Sequence, residues 1–161
     1  MFVSIFQTPS FSFAVGPSYT ELENTMMDWS VKVLGLPDKF LLKNSGGGII
    51  SNTASESIIV SIHVAKYKKL KEKGIKQNHP DSLKLVAYYG QGSHNSSKRG
   101  LMIKDIYYQR PAPYIYDPEI MNYRIDLNKF EEIVNKDIEE GLIPFWFGSS
   151  YGTTFSLAID I

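Results

Sequence analysis

Three stretches of helical periodicity, each opened by a capping residue and closed by glycine, alternate with short β-branched and aromatic runs. Leu22, Met26, Trp29 and Val33 recur at three- and four-residue steps, behind a Thr20–Glu23 capping pair and ahead of Gly35 and Pro37. The second stretch, Ala54 to Lys73, follows Thr53–Glu56, carries Ile58, Ile59, Ile62 and Ala65 on one face, and stops at Gly74. Asp126 opens the third, with Leu127, Phe130, Val134 and Ile138 as its inner stripe and Gly141 as its stop. Between them, Leu83–Tyr89, Ile103–Tyr108 and Ile143–Phe147 read as strands. Gln91–Gly100 reads as a polar loop opening into a short helix, and Pro111–Tyr123 as irregular. Alternating strands and helices predict an α/β fold, a mostly parallel sheet flanked by helices.

Charge and composition narrow the function. The 161 residues hold 17 basic and 17 acidic side chains. That balance is against a nucleic-acid partner, which selects a basic surplus. No apolar run is long enough to span a bilayer, so no membrane partner is expected. Without cysteine there is no disulfide and no thiolate metal site, and His63, His79 and His94 are not spaced as a metal cluster. The N-terminus lacks a basic leader, which leaves a soluble, cytoplasmic protein as the expectation. One domain is the default for this length. The chain ends in the apolar Ala158–Ile161 with no closing helix, and so reads as a piece of a larger α/β domain.

In open α/β sheets, ligands sit beyond the carboxyl ends of the strands, where loops enter helices. Three loops qualify. Gly46 to Glu56 leads small and hydroxylated residues into a helix start, whose free N–H groups suit a phosphate; a plain helix cap explains the same residues. Gln91–Ser97 carries His94, placed to stack on a planar ligand, to transfer a proton or simply to lie in solvent. Tyr151–Thr154 supplies glycine and threonine, equally suited to a turn. Together the three suggest a planar, phosphorylated cofactor.

The ordered set Thr20-Glu21-Leu22-Glu23, Met27-Asp28-Trp29, Leu34-Gly35-Leu36-Pro37, Gly47-Gly48-Ile49-Ile50, Thr53-Ala54-Ser55-Glu56, Ser93-His94, Gly141-Leu142-Ile143-Pro144 and Gly152-Thr153-Thr154 closely resembles the aromatic-L-amino-acid decarboxylases. These are group II pyridoxal-phosphate (PLP) decarboxylases, and the resemblance runs from about Phe11 to Asp160. It implies part of the large domain of a fold type I PLP-dependent transferase, truncated. Pyridoxal 5'-phosphate is the implied cofactor, an aromatic amino acid the substrate, and a homodimer the full-length parent. By position, Ala54 and Ser55 fall where the family binds the cofactor phosphate, and His94 falls on the catalytic histidine that stacks over the ring and helps place the substrate. Thr154 falls on a cofactor-binding threonine near the substrate carboxylate, Phe11 on an aromatic position of the substrate pocket, and Asp160 on an aspartate close to the site without an assigned role.

The resemblance also implies missing parts. The family's Schiff-base lysine, in an Asn-Pro-His-Lys context, and the aspartate partner of the ring nitrogen, in an Asp-Ala-Ala context, have no counterpart in residues 1–161. Neither do the N-terminal dimerisation segment and the small C-terminal domain. Gln91-Gly92-Ser93 replaces a frequent Asp-Gln-Ala, and Asn95 a frequent serine. Lys98 reads as a solvated helix lysine, not a substitute. The expectation is decarboxylation of an aromatic L-amino acid by the parent, with this span inactive alone. The alternatives are a non-catalytic homologue that binds a phosphate-bearing ligand or a partner subunit, and a relative acting on glutamate or histidine.

Overall fold

A computed structural model describes residues 12–160, which fall into two compact units divided after Asn52. In the first unit, α1 (Pro17–Val33) begins three residues before the expected cap. Proline at the first helical position has its φ preset and lacks an N–H that would go unpaired there, so Thr20 lies inside the helix. The expected buried stripe is also corrected. Leu22, Trp29 and Val33 are 59%, 58% and 85% exposed, and Val31 is the buried residue of α1. Its polar side chains organise the segment that follows: Asp28 Oδ1 accepts from the Leu42 amide at 2.9 Å, and Glu23 Oε1 from the Ile50 amide at 2.7 Å.

The second unit holds α2 (Ala54–Lys73), β1 (Leu85–Gly90), α3 (Ser96–Ile103), β2 (Tyr108–Ala112), β3 (Tyr114–Asp117), β4 (Asn122–Ile125), α4 (Leu127–Glu139) and β5 (Ile143–Gly148). Thr53 caps α2 as expected, its hydroxyl accepting from the Glu56 amide at 3.2 Å, a device worth about 1 kcal/mol. Gly74 and Gly141, with φ of 67° and 79°, follow α2 and α4 in the left-handed conformation that glycine adopts without strain.

The sheet is parallel, in the order β2-β1-β5. Alternation along the central strand divides the core. Leu85 and Ala87 pack with Ile62, Leu70, Leu101 and Ile106, while Val86 and Tyr88 pack with Leu142, Phe130, Ile133 and Val134. Thus α2 and α3 cover one face and α4 the other. Gly100 lets α3 approach α2 closely, since a Cβ there would fall 2.9 Å from Ile62 Cδ1.

Three sequence expectations change here. Ile103–Tyr108 is not a strand: α3 extends to Ile103, Asp105 turns with φ of 55°, and the strand begins at Tyr108. Pro111–Tyr123 is not irregular, because β3 and β4 pair antiparallel with Tyr116 opposite Tyr123, their rings edge to face at 5.5 Å. The inner face of α4 is rotated: Leu127 and Ile138 are exposed, and Asp137 is buried in place of an apolar residue. Polar bonding explains the rotation. Asp137 Oδ2 accepts from the Tyr88 hydroxyl at 3.1 Å, and Oδ1 from Arg110 Nε at 3.1 Å. Among the described residues no helix is long and apolar enough to cross a membrane.

Candidate functional site

Helix direction brings the predicted residues of the second unit to one edge. Trp146 Nε1 donates to Ser61 Oγ at 3.3 Å, whereas Phe145, one residue earlier in β5, lies with Ala65, Lys69 and Glu72. So α2 runs against β5, and its first turn lies toward the carboxyl ends of the strands. On α3, Gly100 sits against Ile58, Ile59 and Ile62, and the Lys104 carbonyl accepts from Lys66 Nζ at 2.8 Å. The two helices therefore run alongside each other in the same sense. Both helix N-termini, with Ala54 and Ser55 on α2 and His94 just ahead of α3, face the edge where β1 and β5 end.

Each residue is held differently. Ala54 and Ser55 are exposed in the first turn of α2, where the leading N–H groups have no acceptor within the helix. His94 Nδ1 accepts from the Ser96 amide at 3.2 Å and lies 2.8 Å from Ser96 Oγ. A nitrogen that accepts from a backbone N–H carries no proton, so the neutral imidazole bears its hydrogen on Nε2. His94 itself is exposed. Thr154 is exposed at the tip of a loop braced by its neighbour: buried Thr153 accepts from the Ala158 amide through its hydroxyl at 3.1 Å. Phe11 lies outside the described residues. Lys98 is exposed on α3, and His79 accepts from the Asp81 amide at 3.2 Å, a local turn contact.

Asp160, together with Ser150 and Tyr114, which the sequence reading passed over, joins these loops. Ser93 Oγ lies 3.0 Å from Ser150 Oγ, and Asp160 Oδ2 accepts from the Ser150 amide at 2.8 Å. Tyr114 reaches in from β3, its amide bonded to Gln91 Oε1 at 3.4 Å. Burial, with the Asp160 carboxylate beside it, pushes the Tyr114 phenol up to about 12, so it remains a neutral donor at ordinary pH. A cleft of ≈ 380 Å³ opens beside them, lined by Gln91, Gly92, Tyr114, Tyr123, Thr153 and Phe155 among others. Tyr114 left little trace in the sequence because its hairpin forms through cross-strand pairing within a proline- and tyrosine-rich segment.

Residues 1–161 match the pyridoxal-dependent decarboxylase conserved domain over their whole length. The chain belongs to the pyridoxal-dependent decarboxylase family. It is 37% identical over 158 residues to the aromatic-L-amino-acid decarboxylase of Drosophila melanogaster, covering 93% of this chain and 29% of that protein. To the phenylacetaldehyde synthase of Arabidopsis thaliana it is 35% identical over 150 residues, covering 93% of this chain and 30% of the relative. The Catharanthus roseus tryptophan decarboxylase solved with L-tryptophan matches with a TM-score of 0.85 at 29% identity, over 99% of this chain and 32% of that one. The family member thus spans about 30% of the length of these curated relatives. The architecture, a parallel sheet with helices on both faces, is that of part of a PLP-dependent decarboxylase.

The donor set in this member fits such a cofactor. A helix start whose Ala54 and Ser55 amides have no acceptor within the helix, with a serine hydroxyl beside them, suits a phosphate dianion, and an exposed imidazole at the same edge suits the face of a ring.

Proposed function

We propose that this chain contributes the phosphate-binding and ring-stacking part of the site in a PLP-dependent decarboxylase that converts an aromatic L-amino acid to its amine and carbon dioxide. The parent works as a homodimer in the cytoplasm, and residues 1–161 are an incomplete large domain. The observation that carries the reading is the common edge shared by the α2 N-terminus and the His94 loop.

PLP, when bound, supplies the electron sink for the pair left behind as carbon dioxide departs. The residues of this chain do the positioning. The amides of Ala54 and Ser55 and the Ser55 hydroxyl would hold the phosphate and so fix its lateral position. His94 would stack on the ring, with its orientation held by the Ser96 amide, which donates to Nδ1. Thr154 offers a hydroxyl on the neighbouring loop. Correct orientation of reacting groups is worth several powers of ten in rate, so small displacements of these loops would matter.

No lysine in the sequence has the Asn-Pro-His context of the family's Schiff-base residue. Purified chain titrated with PLP is expected to bind it saturably and without covalent attachment, and borohydride is expected to trap no stoichiometric lysine adduct. Lack of saturable binding, or a stoichiometric adduct on one defined lysine, contradicts the reading. The genomic sequence following the codon for Ile161 separates an intact parent enzyme from a non-catalytic homologue.

A further inference from the structure

Asp160 is the polar residue at this edge with the least obvious reason to be there. Its Oδ2 accepts from the Ser150 amide at 2.8 Å, and its own amide donates to the Ser150 carbonyl at 2.9 Å. Its Oδ1 is buried without a hydrogen-bond partner, and the buried Tyr114 hydroxyl beside it likewise makes no well-aligned bond. Two glycines make room for the pair. A Cβ at Gly90 would fall 2.3 Å from Asp160 Oδ2 and 2.7 Å from the Tyr114 hydroxyl. A Cβ at Gly92 would fall 2.9 Å from the Tyr114 ring and 3.3 Å from the Thr153 methyl.

The connections run in both directions from this point. Toward Thr154, residues 150–160 close on themselves: Tyr151 bridges Ile159, and the amides of Gly152 and Thr153 both donate to the Ala158 carbonyl, at 3.0 and 3.1 Å. Toward His94, the Ser150 hydroxyl meets that of Ser93, whose amide donates to the Gly90 carbonyl at 2.9 Å. Tyr114 tethers the same loop through Gln91. A buried carboxylate oxygen without a donor is unfavourable, and the buried Tyr114 hydroxyl is a donor beside it whose hydrogen is free to turn that way.

We propose that Asp160, together with Tyr114, is a positioning residue that clamps the His94 loop to the Thr154 loop, so that the two sides of the cofactor site move as one. The value of the clamp to a ring cofactor rests on the proposed function; the existence of the clamp does not.

Amide hydrogen exchange and His94 ring resonances, followed by NMR on the chain without cofactor, test the clamp. In Asp160→Ala, exchange is expected to accelerate together in both loops, at Gln91–Asn95 and at Ser150–Leu157, by about tenfold to a hundredfold. The β1 amides should stay unchanged, and the His94 ring signals should shift. Asp160→Asn is expected to restore most of the protection, because its amide oxygen still accepts from Ser150. Gly90→Ala, which displaces the carboxylate without altering it, should reproduce the joint acceleration in the two loops. Acceleration confined to Ser150–Leu157 with His94 unmoved overturns the proposal. Should Asp160→Ala fail to fold, Ser93→Ala carries the test. It removes only the hydroxyl link, and a response limited to its own loop overturns the proposal. In a second arm, Asp160→Ala should weaken PLP binding about tenfold. Wild-type chain that binds no PLP refutes the proposed function while the exchange result still decides the clamp.

Discussion

Replacing Asp137 by alanine is expected to lower the stability of this chain by about 3 kcal/mol, near the bottom of the range for breaking a buried ion pair. The carboxylate is 3% exposed and joins three elements: α4 carries it, β1 supplies the Tyr88 hydroxyl, and β2 supplies Arg110. Removing it leaves the phenol, whose pKa burial and Asp137 both drive upward, without an acceptor on the apolar face of the sheet. Arg110 moderates the loss, because its side chain is 35% exposed and can recover water. Thermal unfolding should register a fall in Tm of roughly 10 °C. Tyr88→Phe should cost less, and the double variant less than the sum of the two, because both remove the same bond. Additive losses would mean that the pair is not coupled as described.

Ser55→Asp is expected to weaken PLP binding about thirtyfold while leaving the fold intact. The two effects separate because the same charge meets two different neighbours. An aspartate in the first turn of α2 complements the helix dipole and leaves the Thr53 cap in place, so stability holds or rises slightly. A phosphate at that turn meets the added carboxylate at close range. In the water-like surroundings of an exposed residue, the repulsion from a dianion amounts to about 2 kcal/mol. The loss should shrink as salt is added, since the charges are screened. Equilibrium titration at two ionic strengths, alongside a melting curve for each variant, checks both parts. An unchanged affinity would remove the α2 N-terminus from the cofactor site.

What the sequence reveals about this fold is local. Thr53, Asp126, Gly74 and Gly141 act through neighbours three or four residues away, and the limits of α2 and the cap of α4 follow directly from them. Ile143–Phe147 and most of Leu83–Tyr89 are legible for the same reason, as short apolar runs between turn residues, although Leu83 and Lys84 belong to a 3-10 turn and the strand starts at Leu85. The errors arise where distant partners decide. The α4 face turns because Asp137 answers Tyr88, 49 residues away in the sequence, and a hydrophobic stripe carries no sign of that bond. The β3–β4 hairpin lies in a segment whose prolines suggest disorder until the strands are paired. Pro17 misplaced the start of α1 because a threonine–glutamate pair inside a helix looks the same in sequence as one at its end. The site divides along the same line. Ala54, Ser55, His94, Thr154 and Asp160 are singled out by ordered family motifs, whereas the contacts that join Asp160 to Ser150, and Ser150 to Ser93, exist only in three dimensions.

In the proposed site, one phosphorylated ring is held jointly by the α2 N-terminus, His94 and Thr154. A titration of the isotopically labelled chain with PLP, read residue by residue in amide correlation spectra, tests it most directly. Amides 54–56, 93–96 and 152–154 are expected to shift together and saturate with a single dissociation constant. Shifts that are confined to one of the three segments, or that saturate at different concentrations, would contradict it.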